Sequence, residues 1–309
     1  MHILLLSRNP SLYSTSRVVL SARARGHDVS VIDPLDFQMV VVSKRPMLLV
    51  GGSRSPKFDV VVPRIGASIT NYGLAVVRQF DLMGVPVLNS ASAIARSRDK
   101  LRALQLLAVS GMDVPTTICA RTPAGLDAAV ELVGGCPAIV KLQQGTQGIG
   151  TMIADTDQAV HALLETFWAM GQDIVLQEYV KESKGRDIRI LVVGGKVIAS
   201  MRRVAKKGEF RANLHRGGVG QNVTLPASYK RVAVKAAEVM GLEVAGVDVL
   251  EGKRGPRILE INSSPGIEGI ERATGIDVAA AIVAHIERFA RKKSRLKKGS
   301  LEAIDEADG

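Results

Sequence analysis

Short apolar runs alternate with helical segments over residues 1–90, and this alternation restricts the possible folds more than any other feature of the chain. Residues 2–6 read as a buried strand and residues 14–25 as a helix stopped at Gly26. Residues 28–33 and 59–63 read as strands, 72–83 as a helix ended by Gly84, and 86–88 as a further strand. Strands separated by helices predict a parallel sheet of the Rossmann type. The loop after the first strand, SRNPSLYS, contains no glycine. Without the dinucleotide fingerprint, a nicotinamide-dependent oxidoreductase is disfavoured.

A chain of 309 residues, 46% hydrophobic and 23% charged, has room for two or three folded domains and is not intrinsically disordered. No apolar run reaches the ~18 residues of a membrane helix, and the N-terminal apolar stretch is too short for a signal peptide. A cytoplasmic protein with no membrane partner is expected. Cys119 and Cys136 are expected to be small buried apolar side chains. The net charge is +11. Residues 288–298 (RFARKKSRLKK) supply seven positive charges and residues 299–309 four negative ones, so the body is basic as well. A basic body favours a polyanionic partner.

Beyond residue 97, residues 99–110 predict a helix with Leu101, Leu104 and Ala108 on one face, capped by Gly111. A helix at 125–133, a strand at 138–142, a glycine-rich loop, a helix at 159–170 and a strand at 174–180 follow. Residues 187–193 and 196–203 predict a hairpin around Gly194-Gly195. After a helix at 227–240, residues 247–250 and 257–262 predict a second hairpin, and residues 276–291 a last helix.

Three constellations carry chemistry. In GVDVLEGKRGPRILEINSSPG, a turn at 251–255 sets Leu250 opposite Pro256 and Asp248 opposite Ile258. Asp248, Glu260 and Asn262 then share a face. Three hard oxygen donors suit Mg²⁺ or Mn²⁺, or else form a solvated polar face. A one-residue bulge would rotate Asp248 away. Lys141 ends the buried-looking strand PAIVKL and needs an anion, and GTQGIG (145–150) follows with backbone N–H groups that can close over phosphates. Lys100 is a second candidate phosphate contact. In FRANLHRGG (210–218), Arg211 and Arg216 join Arg203 as forked donors for phosphoryl or carboxylate oxygens, with Asn213 beside them. His215 reads as a hydrogen-bonding scaffold rather than a base. A metal face, phosphate-binding lysines, a glycine lid and an arginine cluster equip a chain for phosphoryl transfer. Neither G-x-S-x-G nor HExxH occurs, so hydrolase readings drop away.

The order of Lys100, Lys141, GTQGIG, QEYV (177–180), DIRILVVGG (187–195), Asp248 and LEINSSPG (259–266) resembles the ATP-grasp superfamily. SRNPSLYS, PRIGASIT, RSRDKLRALQLL, KLQQGTQGIG, FRANLHRGG and EINSSPGIEGIE resemble its RimK family, bacterial ligases that add L-glutamate to the C-terminus of the sixth small-subunit ribosomal protein. The resemblance spans residues 1–287. It implies an α/β fold of the ATP-grasp type with an N-terminal Rossmann-like domain. The implied divisions are residues 1–96, a central lid domain at 97–176, a C-terminal ATP-grasp domain at 177–287 and a charged tail at 288–309. It further implies ATP and two Mg²⁺ (or Mn²⁺) ions. Lys100, Lys141, Gly145, Gly148, Gly150, Glu178, Tyr179, Val180, Asp187, Arg211, Ala212 and Asn213 would line the nucleotide site. Asp248, Glu260 and Asn262 would hold the metals, while Arg203 and Lys141 would stabilise charge during catalysis. A homo-oligomer that needs no nucleic acid is expected, with Arg64, Asn89 and Arg189 as candidate glutamate contacts. Alternatives are a related ligase making another glutamyl peptide or free polyglutamate, and a ribosome- or RNA-binding protein anchored by residues 288–298.

Overall fold

The structure, a computed structural model, describes residues 1–143 and 150–305, with side chains described as far as residue 294. Its N-terminal part runs β1 (His2–Leu6), α1 (Tyr13–Ala24), β2 (Asp28–Ile32), β3 (Phe37–Val40), β4 (Met47–Val50), β5 (Ser53–Arg54), β6 (Val60–Pro63), α2 (Thr70–Leu82) and α3 (Ala91–Arg98). β2, β1 and β6 pair in parallel in that order. Both faces of β1 are covered, which is why its sequence is a continuous apolar run. Ile3 and Leu5 join one core, Leu4 and Leu6 the other. The expected strand at 86–88 reduces to a single bridge from Val87 to Val61, because the chain turns into the Ser90 cap of α3. An antiparallel sheet of β3, β4 and β5, with no counterpart in the sequence reading, is held to α2 by side chains. Gln79 donates to the Val40 and Met47 carbonyls and Tyr72 to the Phe37 carbonyl.

The central part contains α4 (Lys100–Val109), β7 (Thr117–Cys119), α5 (Leu126–Leu132), β8 (Ala138–Leu142), β9 (Thr151–Ala154), α6 (Asp157–Ala169) and β10 (Ile174–Glu178). Its antiparallel sheet has the order β7-β10-β8-β9, and α5 and α6 share a core with it. Cys119 is exposed, not buried as expected, because it ends the edge strand β7. In α4 the buried residues are Ala103, Leu104 and Leu107, while Ala108 is exposed. The helix turns that stripe, rather than the expected one, toward a core built by C-terminal residues, which takes in Ala103 and Leu107.

The C-terminal part has β11 (Arg186–Val193), β12 (Lys196–Val204), β13 (Val219–Asn222), α7 (Ala227–Met240), β14 (Val244–Gly252), β15 (Gly255–Asn262), α8 (Glu268–Thr274) and α9 (Val278–Asp305). Its antiparallel sheet runs β13-β12-β11-β14-β15. Alternate residues of β11 divide between two cores: Ile188, Ile190 and Val192 pack with α7, Leu191 and Val193 with α9 and β1. The first hairpin turns at Gly194-Gly195 as expected. The second turns later than expected, at Lys253-Arg254, so Leu250 faces Arg257 and Asp248 faces Glu260. A bulge after Asp248 leaves Leu259 as the extra residue. In the observed turn an unbulged ladder would set Asp248 against Leu259 and send Glu260 to the other face. The bulge therefore brings Asp248, Glu260 and Asn262 together instead of separating them. No helix among the described residues is long and apolar enough to cross a membrane.

Candidate active site

Residues of all three parts line a cleft of about 1150 Å³. One wall carries lysines. Lys100 lies in the first turn of α4, where the Asp99 carboxylate accepts from the Arg102 N–H at 2.9 Å and caps the helix. Its Nζ sits 3.4 Å from the Leu142 carbonyl. Lys141, on β8, donates to Gln177 Oε1 at 2.6 Å, and Gln177 donates in turn to Thr117 Oγ1 at 2.7 Å. Burial pushes the Lys141 ammonium down to about 8, against the pull of Glu260 and with a further push from Lys100. Lys100 is also lowered by burial.

The other wall is the sheet of β11, β12, β14 and β15. Asp187 and Arg189 alternate along β11, so both face the same side as Asp248 on β14 and Arg203 on β12. Arg203 grips Asp187 with Nε–Oδ1 at 2.6 Å and Nη2–Oδ2 at 2.8 Å, and reaches Asp248 Oδ2 at 2.9 Å. Arg189 grips Asp248 through both oxygens at 2.7 and 2.6 Å. Burial alone would raise the Asp248 carboxyl, but the two guanidinium groups outweigh it and hold it at about 2. Asp187, buried with one arginine and facing Asp248, is pushed up. Burial opposes the charge on Arg203, yet Asp248 and Asp187 raise it. Glu260 Oε1 accepts from the Asn262 amide at 3.0 Å.

A divalent cation fits this donor set. Asp248, Glu260 and Asn262 present hard oxygens from one face, and Asp248 has used three of its roughly four lone pairs on arginines. No group of three or more His, Cys, Asp or Glu that could hold a metal ion exists among the described residues, so the amide is needed to complete the set.

Tyr179 and Val180, at the end of β10, line the cleft with Ala212 and Asn213. Glu178 lines it too, but its carboxylate is clasped by Arg257 Nη1 at 2.5 Å and Nη2 at 2.9 Å and by the Thr116 N–H at 3.0 Å. These contacts, Arg257 first, hold the carboxyl below its usual range. Arg211 pairs with Glu209 and touches the Thr151 carbonyl. Gly145 and Gly148 lie outside the described residues. Gly150 closes the β8–β9 hairpin at φ +73°, where a Cβ would stand 2.6 Å from the Leu142 side chain, and it is not among the residues lining the cleft. His215 is exposed, and neither it nor Arg216 lines the cleft.

The candidate glutamate contacts are placed differently. Asn89 is buried and its amide is fully engaged by backbone, donating to Val244 and Ser263 and accepting from Glu243 and Val244. It joins the N-terminal part to the C-terminal sheet and has nothing left for a ligand. Arg189 is engaged by both oxygens of Asp248 and does not line the cleft. Arg64 donates to the Pro265 carbonyl at 2.9 Å. Arg257 and Gln177 were missed as positioning residues. The polar Gln177 directly after the apolar run Ile174-Val175-Leu176 was the available signal for one of them.

The RimK-like ATP-grasp domain model matches residues 97–286, and the RimK PreATP-grasp domain model matches residues 1–94. A probable alpha-L-glutamate ligase 1 from Shewanella frigidimarina is 50% identical over 299 residues, 97% of this chain and 99% of the relative. A probable alpha-L-glutamate ligase from Vibrio vulnificus matches to the same extent. Among solved structures, the ATP-grasp ligase PsnB with a minimal precursor aligns with a TM-score of 0.74 at 22% identity, covering 93% of this chain and 98% of that one. D-alanine--D-alanine ligase from Bacillus anthracis, complexed with ATP, aligns with a TM-score of 0.69 at 17% identity, covering 96% and 98%. The alternation at the N-terminus, the two hairpins and the matched models converge on one conclusion: the chain belongs to the RimK family of ATP-grasp carboxylate–amine ligases.

Proposed function

We propose that the chain is an ATP-dependent alpha-L-glutamate ligase whose acceptor is the C-terminus of the sixth small-subunit ribosomal protein. The observation that carries this reading is one cleft with Lys100 and Lys141 on one wall and Asp248, Glu260 and Asn262 on the other. The family supplies the amine substrate: the relatives that match 97% of the chain are named probable alpha-L-glutamate ligases. A basic chain suits an acidic acceptor tail.

Lys100 and Lys141 hold phosphate oxygens. Tyr179, Val180 and the backbone of Glu178 receive the base, with Asp187, Arg211, Ala212 and Asn213 along the nucleotide and Gly145, Gly148 and Gly150 as further proposed contacts to it. Asp248, Glu260 and Asn262 would hold Mg²⁺ or Mn²⁺, two ions on this reading, and bound metal would neutralise phosphate charge. An acceptor carboxylate oxygen attacks the γ-phosphorus, the bond to the β–γ bridging oxygen breaks, and ADP leaves. The glutamate amine then attacks the acyl carbon, loses a proton, and inorganic phosphate departs as the amide forms. Arg203, held in place by two carboxylates, meets the oxyanion charge that develops. On this reading the chain divides at residues 96, 176 and 287.

The test is mass spectrometry of the ribosomal acceptor after incubation with the protein, ATP, Mg²⁺ and L-glutamate. A ladder of glutamyl additions that disappears without ATP is expected. Glutamate-dependent ADP release with an unchanged acceptor would move the activity to another glutamyl acceptor. No ADP release under any condition would overturn the ligase reading.

A further inference from the structure

The parallel sheet contains a topological switch point. From β1 the chain passes through α1 to β2 on one side, and β6 then pairs on the other side of β1. Open α/β sheets bind ligands in the crevice beyond the carboxyl ends of the strands at such a point. Here those ends are Leu6 of β1 and Pro63 of β6, and the Arg64 N–H donates to the Leu6 carbonyl at 2.9 Å across them. Leu35 after β2, and Ile65 with residues 67–72 after β6, line the cleft. The crevice therefore opens toward the cavity that holds Glu260 and Asn262.

Two arginines stand at this edge without a carboxylate: Arg98 lines the cleft, and Arg64 sits next to the lining residue Ile65 without itself lining it. Arg64 donates to the Pro265 carbonyl, three residues beyond Asn262. Arg98 donates to the Ile65 and Gly66 carbonyls and the Thr70 hydroxyl. Arg203, Arg211 and Arg257 are instead all matched with acids. Among the described residues no Asp or Glu forms an ion pair with Arg64 or Arg98. Burial, with nothing opposing it, pushes Arg64 down to about 10 and lowers Arg98. Arg64 and Arg98 are half-buried, and a partly desolvated cation without a counter-charge favours an arriving anion.

We infer that Arg64 reads a carboxylate of the amino-acid or peptide substrate at the carboxyl end of β6, and that Arg98 is a positioning residue fixing the 65–70 loop around it. This rests on the ligase reading above. Phosphates already have Lys100 and Lys141, both within the electrostatic reach of Glu260, whereas the incoming glutamate brings two carboxylates that do not react. Its place beside Pro265 sets the subsite next to the Asp248–Glu260–Asn262 face, where the new amide would form.

Steady-state kinetics of R64Q and R64K, with L-glutamate, acceptor peptide and ATP each varied, test the inference. R64Q should raise the KM for L-glutamate by about 10- to 100-fold, the scale of a charge-assisted pair. The KM for ATP should stay within about twofold, since Lys100 and Lys141 keep their own places and partners. R64K should recover part of the loss, because it keeps the charge without the fork. A rise in the KM for acceptor peptide instead assigns the carboxylate to the acceptor and keeps the subsite. Unchanged KM values for both substrates overturn it. Should R64Q fail to fold, R64K is read in the same way. A wild-type protein without glutamate-dependent ADP release would sink the ligase reading instead.

Discussion

Lys141 carries its charge where the surrounding protein disfavours it. A base whose folded-state pKa lies near 8, below its ordinary 10.5, weakens the ligand-free fold fully below pH 8. That penalty fades as pH rises from 8 to 10.5. Lys141→Met removes the penalty and also a hydrogen bond to Gln177, for a net gain of roughly 1–2 kcal/mol at pH 7. Thermal unfolding of the ligand-free variant should show a Tm a few degrees above wild type at pH 7, with the gain shrinking toward pH 10.5. The same substitution should raise the KM for ATP by about 10- to 100-fold, since a phosphate contact is lost. In the wild type, the KM for ATP should climb as pH passes 8. A destabilised variant with normal ATP kinetics would show that Lys141 is structural. Glu260→Ala tests the proposed metal face: loss of this carboxylate should reduce ATP-dependent ligation to background, and near wild-type turnover would sink the metal assignment.

Between elements, one arginine guards both crossings into the four-stranded sheet. Arg257 on β15 bonds Asp113 and the Val114 carbonyl on the way in, and Glu178 on the way out. Arg257→Met should therefore loosen that sheet against the rest. Limited proteolysis should speed up near residues 110–116 and 178–186, and the KM for ATP should rise by roughly tenfold with a smaller change in kcat. Glu178 titrates below its ordinary 4.5, so the pair stabilises the fold above that pH and the benefit is lost as pH falls. The Tm gap between wild type and variant should narrow below pH 4.5. Unchanged proteolysis would remove the clamp. The same hairpin shows what sequence can and cannot specify. Alternation placed Asp248, Glu260 and Asn262 on one face, but through the wrong turn and without the bulge at Leu259. The two departures cancel, and only the folded ladder reveals that they do. The sheet of β3, β4 and β5 was not legible, because its strands are held by Gln79 and Tyr72 of a distant helix rather than by their own alternation.

At the scale of the whole molecule, one core joins the ends of the chain. Ile3 and Leu5 of β1 pack in the same cluster as Leu191 of β11 and Val278, Ile282, Val283, Ile286 and Ala290 of α9. Arg17 of α1 bridges Glu271 and Asp277, and Arg25 and His27 grip Glu287. Short-range patterns could expose the apolar stripe of α9 but not its partners, of which those on β1 and α1 lie more than two hundred residues away. They could not show either that the basic run continues the helix, which extends to Asp305. The packing does separate the two roles of this element. Among the described side chains Ala290 is the last of α9 in the core, and Arg291 to Ser294 are exposed. Deletion of residues 295–309 should therefore leave the Tm within about 1 °C and the turnover on short peptides unchanged, because no described core contact is removed. Deletion from residue 278 should instead prevent folding, since a shared core loses six buried side chains at about 1.5–3 kcal/mol for each large one. If the shorter deletion abolishes ligation of a short peptide, the tail takes part in catalysis. If it removes only a steeply salt-dependent attraction to the intact acceptor, the tail serves long-range capture.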